Sequence, residues 1–188
     1  MTKRCCGTSV GVLITDERDR LLMVRRGWWP RGTAPVAGHV HDAHATAAEA
    51  AVAEVREEVG LAVTGEPELL WEGHLPNLCA SLPATRPGHH WWLYRAQATG
   101  TLQPAAGETS GAGWYSRDQV QSLADTTTAL ADGGMAADHQ PTESLEAVWV
   151  EHLARLGWIT VSERARQQIR RLYTTPPPQH WLGGRPTT

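Results

Sequence analysis

Glu54, Glu57 and Glu58 stand at i, i+3 and i+4 in the run TAAEAAVAEVREEVGL, which covers residues 46–61. On an α-helix this spacing brings Cβ atoms to within about 5 to 6 Å of one another. Three carboxylates so close repel each other, and a cation shared among them relieves the repulsion. Oxygen donors without an accompanying cysteine or histidine at regular spacing favour Mg²⁺ or Mn²⁺ over zinc. A solvated acidic face is the commoner fate of such a run, and helix geometry alone leaves both readings open.

The helix that must carry these residues has its own start and stop signals. Thr46 followed three residues later by Glu49 is a capping-box pair, five alanines fill the first two turns, and Gly60 suits the left-handed position after the last turn. At about 100° per residue, Ala48, Val52, Val55 and Val59 form one face and are expected in the core. Ala47, Ala50 and the three glutamates fall on the opposite face and are expected to point outward.

Residues 54–61, EVREEVGL, resemble the C-terminal half of the Nudix box, whose pattern is Gly, five residues, Glu, seven residues, Arg-Glu, apolar, any, Glu-Glu, any, Gly, apolar. Upstream, residues 34–40 (APVAGHV) resemble the loop that opens the box in a branch of Nudix hydrolases where Gly-Gly becomes Gly-His. The resemblance covers roughly residues 8–123. It implies a Nudix-type α/β/α sandwich with a mixed β-sheet, and a box helix whose glutamates hold Mg²⁺ or Mn²⁺ bridged by the substrate diphosphate. Glu54, Glu57 and Glu58 are then the metal ligands, with Glu57 and Glu58 also catalytic. The pattern departs at three places: His39 stands where the box has its first glycine, Ala45 where it has its first glutamate, and Ala53 where it has its arginine. In the family that arginine braces the catalytic glutamates, so another group, such as Arg56 or a histidine, must take its place.

The remaining chemistry comes from outside the box. Glu108, in the loop GETSG, corresponds in position to an acidic residue that in many family members reaches the metals or acts as base, and a loop carboxylate suits proton abstraction from water. Glu72 is a weaker candidate of the same kind. Arg25 and Arg26 close a strand near the metal loop, and strand alternation turns one of them inward as a phosphate binder. Nine tryptophans in a chain without phenylalanine include the pairs Trp28–Trp29 and Trp91–Trp92. Adjacent strand residues face opposite ways, so one of each pair is core while Trp28 or Trp92 is the candidate platform for a nucleobase. His39, His41 and His44 cluster at the metal loop, with His39 a candidate substrate contact.

Composition bounds these readings. The chain has 188 residues and a formal charge of -3, enough for one sizeable core and without general attraction to nucleic acid or an anionic membrane. No apolar run approaches 18 residues and no signal-like segment follows Met1, so the expectation is a soluble cytoplasmic protein. Cys5, Cys6 and Cys79 show no zinc spacing, and reduced thiols are the default.

Hydrophobic patterning places strands at residues 9–15 and 20–26, joined as an antiparallel hairpin, and further strands at 67–74, 91–99 and 113–115. Short helices are expected at 117–123, 142–156 and 162–173, with a mobile loop over 124–141 and a frayed Pro-rich tail from 174. The organisation is read as a Nudix-like domain over residues 1–160 and a C-terminal helix and tail over 161–188. The expected function is a pyrophosphohydrolase cleaving a nucleoside diphosphate linked to another group, a small-molecule substrate, with a homodimer left open. Two alternatives are a Nudix-fold binding or regulatory module that has lost turnover, favoured by Ala45 and Ala53, and an isoprenyl diphosphate isomerase using Cys79.

Overall fold

The computed structural model describes residues 5–26, 28–41, 43–81, 88–107, 109–135 and 139–175. Strand β1 (Thr8–Ile14) is apolar on both sides and buried along nearly its whole length. Such a strand belongs in the middle of a covered sheet rather than at a solvated hairpin edge. Accordingly β1 lies between β4 (Val36–His39), to which it is antiparallel, and β6 (His89–Thr99), to which it is parallel. The long β5 (Ala62–Leu75) completes this mixed sheet in the order β4-β1-β6-β5, and its pairing with β6 shifts register twice.

The expected hairpin partner, β2 (Leu21–Arg26), instead centres a second antiparallel sheet between β3 (Gly32–Ala34) and β7 (Ala112–Tyr115). Asp16 explains the parting of β1 and β2. Its carboxylate accepts from the backbone amides of Arg18 and Arg20, closing a tight turn, and the two strands keep a single bridge, Thr15 to Leu21.

Helix α1 (Ala47–Val59) is capped as its sequence specifies, with Thr46 and Glu49 exchanging hydrogen bonds and Gly60 at φ 72°. Its buried face is Ala47, Ala50, Ala51, Val55 and Val59. The expected division of faces is therefore rotated: Val52 is exposed, and Ala47 and Ala50, assigned to the outer face with the glutamates, are core. The rotation draws Glu54 and Glu58 partly inward and leaves Glu57 exposed.

Helix α2 (Arg117–Asp132) runs nine residues past its expected end, through a stretch read as loop. Its threonines carry the extension. Thr126, Thr127 and Thr128 donate their hydroxyls to carbonyls one turn back, while Val120, Leu123, Ala124, Thr127 and Ala131 bury a continuous stripe. Helix α3 (Ala147–Arg155) starts later than expected because Ser144 and Glu146 exchange backbone hydrogen bonds with Thr33 of β3. Helix α4 (Glu163–Thr174) matches its expected span, and the tail beyond residue 175 lies outside the described residues.

Two cores flank the mixed sheet. Val10, Val12 and Ile14 of β1 join Tyr94 and Val55 and Val59 of α1 on one side. Leu13, Trp91 and Leu93 join Trp149, Leu153 and, from α4, Ile169 and Leu172 on the other. Among the described residues no helix is long and apolar enough to cross a membrane.

His152 sits fully buried in the second core, its ring 4.6 Å from Trp91 and 5.1 Å from Trp149, with no hydrogen-bond partner at either nitrogen among the described residues. Burial, and secondarily the nearby Arg155 charge, pushes its pKa down to about 3. The unfolded chain takes up a proton near pH 6.5 while the folded one does not, so stability falls as pH drops from about 6.5 towards 3, by about 1.4 kcal/mol per pH unit. Denaturant titrations across this window should show that acid-side slope, and His152→Leu should flatten it without loss of stability at pH 7, because an unsatisfied buried polar group is removed.

Candidate active site

The site is built where α1 crosses β4. Gly38 has no side chain, and a Cβ placed there would overlap the Glu54 carboxylate, so that carboxylate keeps its present position beside β4 only because this residue is glycine. One turn along α1, Glu58 Oε2 accepts a long hydrogen bond, 3.4 Å, from the backbone N–H of Ala37. Two half-buried carboxylates thus lie against the end of a strand, on the face lined by the α1 core. Glu57 is exposed on the helix flank. Their oxygen-only donor set suits a hard divalent cation such as Mg²⁺ or Mn²⁺.

Strand register places the next candidate. Val10 pairs with Gly38 on one side and Trp92 on the other, so the three residues form a row across the sheet with side chains on the α1 face. At about 4.8 Å per strand, Trp92 lies about 10 Å from Gly38. Its half-buried indole packs 4.4 Å from the His90 ring and edge-on to His41 at 6.2 Å. The neighbouring Trp91 is core, and its N–H donates to Asn77 Oδ1 at 2.9 Å. Trp29 is likewise core while Trp28 is half-buried, although both lie in the bend between β2 and β3, outside any strand.

The two arginines at the end of β2 part company. Arg26 turns inward to Glu146, 3.6 Å away, a carboxyl whose pKa burial raises and the guanidinium partly offsets. Its charge is already matched by a protein group. Arg25 is exposed and its guanidinium lies over Gly111. Its backbone bonds to Ser110 and Gly111 at 2.8 Å each, which ties the strand end to the loop around residue 109. Glu108 lies outside the described residues, but Ala105, three positions earlier, donates its backbone N–H to the Glu58 carbonyl at 2.9 Å. Glu72 is occupied by His90 at 2.8 Å on an exposed surface.

His39 corrects an expectation. One residue beyond Gly38, it points to the opposite face of the sheet, away from the box glutamates and from the exposed His41. There its Nε2 lies 3.5 Å from Cys5 Sγ and its ring 5.6 Å from that of His89. Cys79 completes this group, and the ligand atoms of Cys5, His39, Cys79 and His89 all lie within 4.8 Å of one another. The box glutamates are not part of that set. The hydrogen bond between the two thiols, then burial, raises the Cys5 pKa, and the same bond holds Cys79 below the ordinary thiol range. No motif spacing announces this cluster, because its members come from four separate segments.

A family model of the NUDIX domain matches residues 7–138. Among solved structures, a MutT protein from Methanosarcina mazei Go1 is similar with a TM-score of 0.55 at 16% identity, covering 84% of this chain and 96% of that one. A hydrolase of the NUDIX family from Clostridium perfringens is similar with a TM-score of 0.50 at 20% identity, covering 80% of this chain and 97% of that one. At such identities the structural likeness establishes the fold. No curated protein matches the sequence. The chain belongs to the Nudix hydrolase family. By class it is an enzyme acting on pyrophosphate bonds.

The Gly38 approach generates a test. Gly38→Ala should displace the Glu54 carboxylate and lower pyrophosphate hydrolysis by a factor on the order of 10 to 100, the loss typical of an ångström-scale misplacement. Steady-state rates alongside circular dichroism would check it, and a folded variant with the parental rate would contradict the assignment of Glu54.

Proposed function

We propose that this chain is a divalent-metal-dependent pyrophosphohydrolase that cleaves a nucleoside diphosphate linked to another group. The observation that carries the reading is the pair Glu54 and Glu58, held half-buried against β4 where Gly38 leaves room for them. Glu54, Glu58 and, from the exposed side, Glu57 are the residues that would hold Mg²⁺ or Mn²⁺. When bound, the ion neutralises diphosphate charge and makes water a better nucleophile.

The chain's own groups supply the rest. The amide of Ala37 takes over part of the bracing that the family assigns to the arginine replaced here by Ala53. Trp92, in the same row as Gly38, offers a stacking face for the base at a distance that a sugar and diphosphate can span. Arg25 at the β2 end is placed to meet a phosphate oxygen as a charge-assisted donor. Glu108 is assigned the proton of the attacking water, and the anchoring of Ala105 on Glu58 ties its loop to the end of the box helix. The substrate is a small molecule and the setting cytoplasmic.

Phosphate release from a panel of nucleoside diphosphate derivatives, with and without Mg²⁺, tests the reading directly. Hydrolysis should require the cation, and Glu58→Gln should cut the rate by at least about tenfold, with a smaller loss in the exposed Glu57→Gln. Both variants should be no less stable without metal, since one like-charge repulsion is gone. Parental rates in both would sink the assignment.

A further inference from the structure

The face of the mixed sheet opposite the box helix carries the cluster of Cys5, His39, Cys79 and His89. These residues come from the segment before β1, the end of β4, the loop after β5 and the first residue of β6. Cys5 and His89 are buried, and His39 and Cys79 are half-buried. Sulfur and imidazole nitrogen donors select zinc-like ions and discriminate against Mg²⁺ and Mn²⁺.

Hydrogen bonding around His89 defines its part. The Trp91 indole N–H can only donate, so Asn77 turns Oδ1 to Trp91 at 2.9 Å and Nδ2 to His89 Nδ1 at 2.8 Å. His89 Nδ1 therefore accepts, its ring proton resides on Nε2, and that N–H donates to Cys5 Sγ at 2.9 Å. Gly7 N–H also donates to Cys5 Sγ, at 3.3 Å. Both donors favour the thiolate, the form that binds metal, and oppose the Cys79 hydrogen bond and the burial that raise the Cys5 pKa. The Cys5 Sγ to His39 Nε2 distance of 3.5 Å equals the edge of about 3.5 Å expected for a tetrahedral ion with Zn–S about 2.3 Å and Zn–N about 2.0 Å. A small hollow of about 10 Å³, room for at most about one water, is lined by Cys5, Asn77, Cys79, Ser81 and His89 among others and opens onto the group.

We infer that Cys5, Cys79 and His39 form a site for one zinc-class ion, with His89 donating its N–H to the Cys5 thiolate and the fourth coordination position facing the hollow. The ion would tie the N-terminal segment to the loop after β5, which itself bonds to α4 through Leu78 N–H and the Tyr173 carbonyl at 2.8 Å. The chain then carries two sites of opposite chemical preference on the two faces of one sheet.

The test uses the full chain kept reduced with a thiol-free phosphine. After loading with Zn²⁺ and gel filtration in excess Mg²⁺, the protein should retain one zinc per chain and unfold at a higher temperature than the metal-free form. Co²⁺ in its place should give thiolate-to-cobalt charge-transfer bands and intense tetrahedral visible bands. Cys79→Ser should abolish them, whereas Cys6→Ser and Glu58→Gln should retain them. Zinc X-ray absorption on the parent protein, which depends on no variant, should show two sulfur neighbours. An oxygen-only shell, absence of the thiolate bands in the parent, or bands undiminished in Cys79→Ser would overturn the proposal.

Discussion

The structure depends on the apolar packing of α1 against the mixed sheet. Where the helix passes Gly38 of β4, the Glu54 carboxylate occupies the space a Cβ would fill, so the glycine gives that side chain its place beside the strand. That packing in turn buries Ala47, Ala50, Ala51, Val55 and Val59 against the β1 valines and brings Glu58 within reach of the Ala37 amide. The apolar contacts supply the stability, and the carboxylates are carried in with them. Two carboxylates reach half-buried positions here because they share the helix face that Ala47, Ala50 and Ala51 pack into the core.

Alternation along the strands then distributes chemistry between two sides. Gly38 and Trp92 belong to the α1 face through their common partner Val10, while His39, His89 and Trp91 belong to the other. A single-residue step along β4 therefore separates an oxygen-donor site from a sulfur–nitrogen cluster. A slip of one residue would exchange the two sides and move every side chain of β1 into the other core. The sheet acts as a partition between environments suited to different ions.

Features encoded within a few residues were legible in the sequence. The caps of α1, the division of Trp91 from Trp92 and the presence of α4 all follow from local spacing. The face of α1 was misplaced because Ala47 and Ala50 are too small to announce burial while Val52 is apolar yet exposed. The length of α2 was hidden by threonines that satisfy their hydroxyls on the preceding turn instead of ending the helix. The pairing of β1 with β6 and the meeting of Cys5 with His39 and His89, 34 and 84 positions away, are products of tertiary folding with no local signature. Among the candidate site residues, Glu54, Glu58 and Trp92 lie on the α1 side of the sheet and Glu57 stays exposed on the helix flank, whereas Arg26 and His39 are drawn to other partners.

The central claim is that Glu54 and Glu58 receive the divalent ion beside Gly38. Anomalous scattering from crystals soaked with Mn²⁺ and a non-hydrolysable nucleoside diphosphate derivative measures this most directly. A manganese peak is expected within ligand distance of both carboxylates on the α1 face of the sheet, with the diphosphate against it. Manganese bound only elsewhere, or a diphosphate seated away from α1 at saturating Mn²⁺, would contradict it.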